Sequence, residues 1–144
     1  MSTEENKSLF RGVVKECYNK RDLGVLDKFF AADVVDHAAP PGLPPGLEAG
    51  RILLGAFFSA FPDLQYTLED VMAEGDKVVA RATIRGTQTG EFAGIPPTGK
   101  PIMISVIDIW RVANGKLVEH WHVLDQLSML QQLGVIPSPR PSAG

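Results

Sequence analysis

The sequence predicts an α+β domain in which helices pack on one face of a curved antiparallel sheet. Two observations carry this. Apolar residues recur at helical spacing up to Phe61, whereas long period-two segments follow from Leu64 onward. The later segments are joined by two tight turns and one Gly/Pro loop, connections short enough to force antiparallel neighbours. The chain has 144 residues, 44% hydrophobic and 22% charged, which fits one domain over 1–136 with a core large enough to enclose a cavity. The Pro/Ser-rich tail, 137–144, is expected to be mobile.

The first helix starts at a Ser2 or Thr3 cap, carries Glu4 and Glu5 in its first turn, and continues through Leu9, Phe10, Val13, Val14 and Cys17 to about Lys20. A short second helix runs from Asp22 to Phe30 with Leu23, Leu26, Phe29 and Phe30 buried, and leads into a brief strand, Asp33 to His37. Prolines 40, 41, 44 and 45 remove four backbone donors from the next segment, which reads as a stiff surface loop. A third helix follows from Leu47 to Phe61, with Ile52, Leu53, Ala56, Phe57, Ala60 and Phe61 on its apolar side, and Pro62-Asp63 stops it. Strands are expected over Leu64–Glu74, Lys77–Thr87, Pro101–Val112 and Lys116–Leu124. Asp125 can cap a last helical turn or two from Gln126 to Leu133.

Charge and composition exclude several classes of function. A net charge of -3 with scattered basic residues argues against nucleic acid. No stretch reaches the ~20 apolar residues of a membrane span, and Met1 to Asn6 is polar and acidic, unlike a signal peptide, so a cytoplasmic location is expected. The single cysteine, Cys17, excludes an intrachain disulfide and reads as a packing residue. No Ser or Cys nucleophile has an evident triad, and the glycine-rich loop has prolines where phosphate would need N–H groups.

Asp108 is the residue the pattern singles out, because it stands in a strand that is otherwise almost wholly apolar. Ile102, Ile104, Val106, Asp108 and Trp110 share one face, while Met103, Ser105, Ile107, Ile109 and Arg111 share the other. Two mainly apolar faces beneath one helical layer imply a homodimer through the sheet. A three-residue hairpin at Asn114-Gly115 would set Asp108 opposite His120 and diagonal to His122; a two-residue turn would set it opposite Trp121. The first is favoured because it gives a buried carboxylate a polar partner.

Asp108, His120 and His122 then have three readings: a satisfied buried pair, a general acid/base couple, or a metal site completed by His37 or Asp108. His37 suits either a solvated loop edge or a cavity rim. Trp110, Tyr66, Phe57 and Phe61 suit either core or the wall of an apolar ligand pocket. Two imidazoles and a carboxylate can satisfy one another by hydrogen bonds, so no metal is expected.

Specific motifs carry a resemblance over nearly the whole chain, Glu5 to Gly134. They are Phe30-Ala-Ala-Asp-Val-Val-Asp-His37, the Pro40–Gly46 loop, Phe61-Pro-Asp-Leu64, Gly86 to Gly99 with its Gly-Ile-Pro-Pro-Thr-Gly segment, Ile107 to Arg111, Asn114 to Trp121, and Met129 to Gly134. Together they resemble the SnoaL-like polyketide cyclase or ester cyclase family. The resemblance implies the cone-shaped α+β fold shared with nuclear transport factor two and ketosteroid isomerase, dimerisation through the sheet, and chemistry without cofactor or metal. It implies that Asp108 points into the cavity, that His120 and His122 face it, and that His37 lies near the place of the isomerases' proton-shuttling carboxylate. The antibiotic-pathway cyclases have an aspartate near the position of His122 and a histidine near that of Asp108, so the two residue types look exchanged here.

The function expected is cofactor-free acid/base chemistry on a small, mostly apolar carbonyl compound, either an intramolecular aldol cyclisation or an enol-forming isomerisation. His122 would transfer the proton, Asp108 would donate or orient, and His37 or His120 would support. The alternative is a protein that binds a small hydrophobic molecule without turnover. Loop 90–99 would act as a mobile lid in either case.

Overall fold

The computed structural model describes residues 2–138, so most of the tail expected to be mobile lies outside the described residues. Helix α1 (Thr3–Val13) opens on a reciprocal cap: the Ser2 side chain accepts from the Glu5 N–H, and the Glu5 carboxylate accepts from the Ser2 N–H. The helix then widens into a π-helical turn, Val14–Tyr18. Such turns are uncommon and concentrate at functional sites; here the turn ends on Tyr18. The expected second helix is split into a 3-10 turn, Leu23–Val25, and a single α turn, α2 (Leu26–Phe29). Strand β1 therefore begins earlier than expected, at Phe30, and runs to Asp36.

After the proline loop come α3 (Leu47–Ala60), β2 (Gln65–Glu74), β3 (Lys77–Thr87), β4 (Pro101–Ala113), β5 (Lys116–Leu124) and α4 (Gln126–Gln132). The sheet order is β1-β5-β4-β3-β2. Strands β2 to β5 form the expected antiparallel meander, but β1 joins parallel to β5, so the sheet is mixed and open. The parallel pairing is possible because the chain between β1 and β5 is long enough to cross the whole sheet.

One face of β4 is covered: Ile102, Ile104, Val106, Asp108, Trp110 and Val112 are buried. Phe10 of α1 packs edge-on against Tyr66 and Tyr18 and lies 6.2 Å from the Trp110 ring. Phe10, Leu26 and Leu117 are wholly buried, each stabilising the fold by about 1.5–3 kcal/mol. Cys17 is buried among them, as its helical position predicts.

Two local features decide what the site looks like. The first is the β4–β5 hairpin, where Ala113 pairs with Lys116 around Asn114 and Gly115, both at positive φ (51° and 73°). That is a two-residue turn, not the favoured three-residue loop. A bulge follows, because Val112 pairs with Leu117 but Arg111 with Glu119, leaving Val118 extra. The extra residue restores the shared parity of Asp108 and the histidines while sliding the register, so that Asp108 pairs with His122 and Trp110 with His120.

The second feature is Gln88, which is wholly buried. Its Nε2 donates to the carbonyls of Gly90, Ile95 and Pro96 at 3.1–3.3 Å, and its Oε1 accepts from the Thr98 N–H and hydroxyl. Loop 90–99 is thus wrapped around one amide, which contrasts with the mobile lid expected. Its Phe92 ring packs 4.7 Å from Phe57 and 5.8 Å from Phe61.

Candidate functional site

Between the helices and the sheet lies a cavity of about 610 Å³. Its wall is mainly apolar, built from Leu26, Phe30, Leu53, Leu54, Phe57, Phe92, Trp110 and Met129 among others, and its polar side chains are Tyr18, Asp36, His120, His122 and Gln126. A largely hydrophobic enclosure with a few polar groups is the usual form of a small-molecule site.

His120 is the best-held of these groups. Its ring lies flat on the Trp110 indole, 3.7 Å away and within 3° of parallel. Its Nε2 is 2.7 Å from Asp108 Oδ1, and its Nδ1 faces Asp36 Oδ1 at 3.6 Å. The other Asp108 oxygen accepts from the Tyr66 hydroxyl. A hydrogen-bonded chain, Tyr66–Asp108–His120, therefore runs from the core to the cavity wall, and Asp36 stands 3.6 Å beyond it. Burial pushes the His120 pKa down, but the bond to Asp108 and then the nearby Asp36 carboxylate outweigh it, and the net shift is upward. These contacts favour the imidazolium more than burial alone would allow.

His122 is the opposite case. Its ring stands 4.7 Å from that of His120, and its Nδ1 is buried without a hydrogen-bond partner. Burial, and then the positive charge of His120, lower its pKa, so it stays neutral with a lone pair to offer. Burial and then the charge on Asp108 raise the phenols of Tyr18 and Tyr66 well above their ordinary range, which keeps both as neutral donors. Asp36 accepts from the Ala38 N–H at 2.9 Å; burial opposes its ionisation, but the His120 contact outweighs that and holds its carboxyl below the usual value.

The residues singled out from the sequence divide between the cavity and elsewhere. His120, His122, Trp110 and Phe57 line the cavity. Asp108 does not: it sits behind His120, with both oxygens occupied by protein partners, because the bulged register brings His120 between it and the cavity. Tyr66 and Phe61 are core residues that do not line the cavity, the first bonded to Asp108 and the second packed beneath Phe92.

His37 lies away from the cavity altogether. Its ring stacks on Trp121 at 5.0 Å, and its Nε2 meets Glu119 Oε2 at 2.6 Å; Glu119 also accepts from Arg111. The physical reason is strand parity. Phe30 and Val34 are the buried residues of β1, and Asp36 is on their side whereas His37 is not. The apolar Phe30 and Val34 were the available signal for Asp36 once β1 is read from Phe30. Tyr18 was also missed, although helical spacing offered a signal: it lies four residues after Val14 and eight after Phe10, whose ring it meets.

The same three cavity residues are the only group of this kind among the described residues spaced for a metal ion: Asp36, His120 and His122 each offer a ligand atom within 4.8 Å of the others. Asp36 takes the place that His37 or Asp108 was expected to fill.

Comparison with known proteins agrees with this architecture. The SnoaL-like polyketide cyclase family profile matches residues 8–133. Among solved structures, TsrD from Streptomyces laurentii is similar at 31% identity with a TM-score of 0.87, covering 94% of this chain and 99% of its own. AclR from Streptomyces galilaeus, named as a hydroxylase, shares 33% identity with a TM-score of 0.84, covering 98% of this chain and 87% of its own. IdmH from Streptomyces antibioticus, named as a polyketide cyclase, shares 35% identity with a TM-score of 0.78, covering 90% of this chain and 98% of its own. No curated protein matches the sequence. With a profile match across almost the whole described chain and an α+β cone shared with these structures, the protein belongs to the SnoaL-like polyketide cyclase family.

Proposed function

We propose that the protein is a cyclase or isomerase that moves a proton on a small, mostly apolar carbonyl compound without a cofactor. The observation that carries this reading is the pair of unlike histidines on the wall of an apolar cavity. His120 is bracketed by two carboxylates that favour its charged form, and His122 is neutral with an unpartnered nitrogen. A general base and a general acid need environments that push their pKa values apart. His122 would take a proton from the carbon next to the carbonyl, while the Tyr18 hydroxyl or the His120 N–H stabilises the negative charge developing on oxygen. Asp108 touches no substrate in this scheme; it positions His120 and balances its charge, as Tyr66 positions Asp108. The name of IdmH favours the cyclase form, although one fold hosts many chemistries.

A suitable probe is α-tetralone, an apolar bicyclic ketone whose α-hydrogens exchange in heavy water. The wild type should accelerate that exchange, and His122→Ala should lose roughly 100 to 10,000-fold of the acceleration. Saturable binding of the ketone with no exchange above the buffer rate would favour a binding protein instead.

For the assembly we propose a homodimer through the outer face of the sheet. Met103, Ile107 and Val123 are 59%, 49% and 77% exposed there, and contiguous apolar surface of this kind is usually covered. Val123 pairs with Ile107 across β4 and β5, which makes the patch continuous.

A further inference from the structure

The contact between His120 and Asp36 has the wrong length for a good hydrogen bond. Nδ1 and Oδ1 are 3.6 Å apart, beyond the range in which such a bond is strong. Two ligands on one tetrahedral metal, at bond lengths of about 2.0–2.2 Å, stand roughly 3.4 Å apart. The spacing therefore suits a shared cation better than a shared proton. His122 supplies an independent sign, since its Nδ1 is buried with no partner at all. Of the expected mutual satisfaction of Asp108, His120 and His122, the Asp108–His120 bond is present, whereas His122 Nδ1 is left without a partner.

The surroundings are also those of a metal site. Asp108 holds the Nε2 of His120 at 2.7 Å, and a carboxylate behind a ligating imidazole fixes the ring and leaves the other nitrogen free. Tyr66 in turn fixes Asp108. Two imidazoles and a single carboxylate suit borderline first-row cations, whereas magnesium and calcium prefer oxygen alone. All three ligand residues line the cavity, which leaves the remaining coordination position open to water or a small molecule.

We propose that Asp36, His120 and His122 bind one first-row divalent cation of the zinc or nickel type, with Asp108 orienting His120 from behind. The cation displaces the Nδ1 proton of His120 and takes the lone pair of His122, both of which the acid/base chemistry needs, so it is a competitor of that chemistry and not its cofactor. Its binding releases the His120 proton, so affinity rises with pH, and it can be measured without any substrate.

Zinc chloride is titrated calorimetrically into chelator-treated full-length protein near neutral pH. One equivalent should bind. Asp36→Asn and His122→Ala should each weaken the affinity by at least about ten-fold, and Asp108→Asn by about 10 to 100-fold. His37→Ala, on the outer face, should leave it unchanged. Asp36→Asn keeps the acceptor for the Ala38 N–H, and cooperative melting of each metal-free variant distinguishes lost ligands from lost fold. Cobalt(II) gives a second readout, a visible spectrum of low coordination number that Asp36→Asn abolishes. Absence of zinc binding, affinity unaltered in Asp36→Asn and His122→Ala, or loss of binding in His37→Ala would each overturn the site. Zinc binding by a protein whose chelator-treated form does not exchange α-tetralone would instead overturn the proposed function and leave the site standing.

Discussion

His120 and His122 are two residues apart in sequence and differ in what stands behind them. Asp108 and Asp36 bracket the first, while the second faces burial and a neighbouring positive charge. In chelator-treated protein the rate should therefore follow a bell-shaped pH profile, measured with α-tetralone exchange. Its acidic limb lies below the ordinary histidine value of 6.5, where neutral His122 gains a proton, and its basic limb lies above it, where His120 loses one. Asp108→Asn removes the nearer of the two carboxylates that support the imidazolium, so the basic limb should move to lower pH as the rate falls. A fall in rate with both limbs unmoved would mean that Asp108 only packs. Cys17 provides a separate check: burial, then Asp22, push its thiol up to about 12. It should resist a thiol reagent at mildly alkaline pH until the protein unfolds.

At the scale of elements, helix limits and strand positions were largely legible, because periodicity and Pro/Gly punctuation record them. Register was not. The Asn114-Gly115 turn is readable from its residues, but the bulge at Val118 depends on how the sheet packs, and nothing in the hairpin sequence announces it. The shared parity of Asp108, His120 and His122 was therefore foreseen, whereas the partner of each was not. His37 stands out over Asp36 for a similar reason: a strand read from Asp33 omits Phe30, whose burial together with that of Val34 sets the parity. The role of Gln88 was equally hidden, since a buried amide serving a loop carries no pattern. Gln88→Ala leaves several carbonyls without a donor, so it should destabilise the protein by about 1–3 kcal/mol in urea unfolding. Hydrogen exchange should rise mainly across 90–99, and an equal rise throughout the sheet would show that the loop is not held locally.

For the whole molecule, the fold class and the family were legible because composition, element order and extended motifs agree. The occupant of the outer face was legible only as an apolar surplus. Ile107→Lys should lower the mass found by light scattering from dimer to monomer while leaving zinc binding in the cavity intact; a monomeric wild type at micromolar concentration would remove the dimer from the account. The proposed chemistry needs two neighbouring histidines in opposite charge states on the wall of one apolar cavity. It is tested most directly by nitrogen NMR of histidine-labelled, chelator-treated protein near neutral pH, with assignments from His37→Ala, His120→Gln and His122→Gln. His120 should carry protons on both ring nitrogens, and His122 should have one protonated and one bare nitrogen. A neutral His120 beside a charged His122, or two neutral rings, would contradict it.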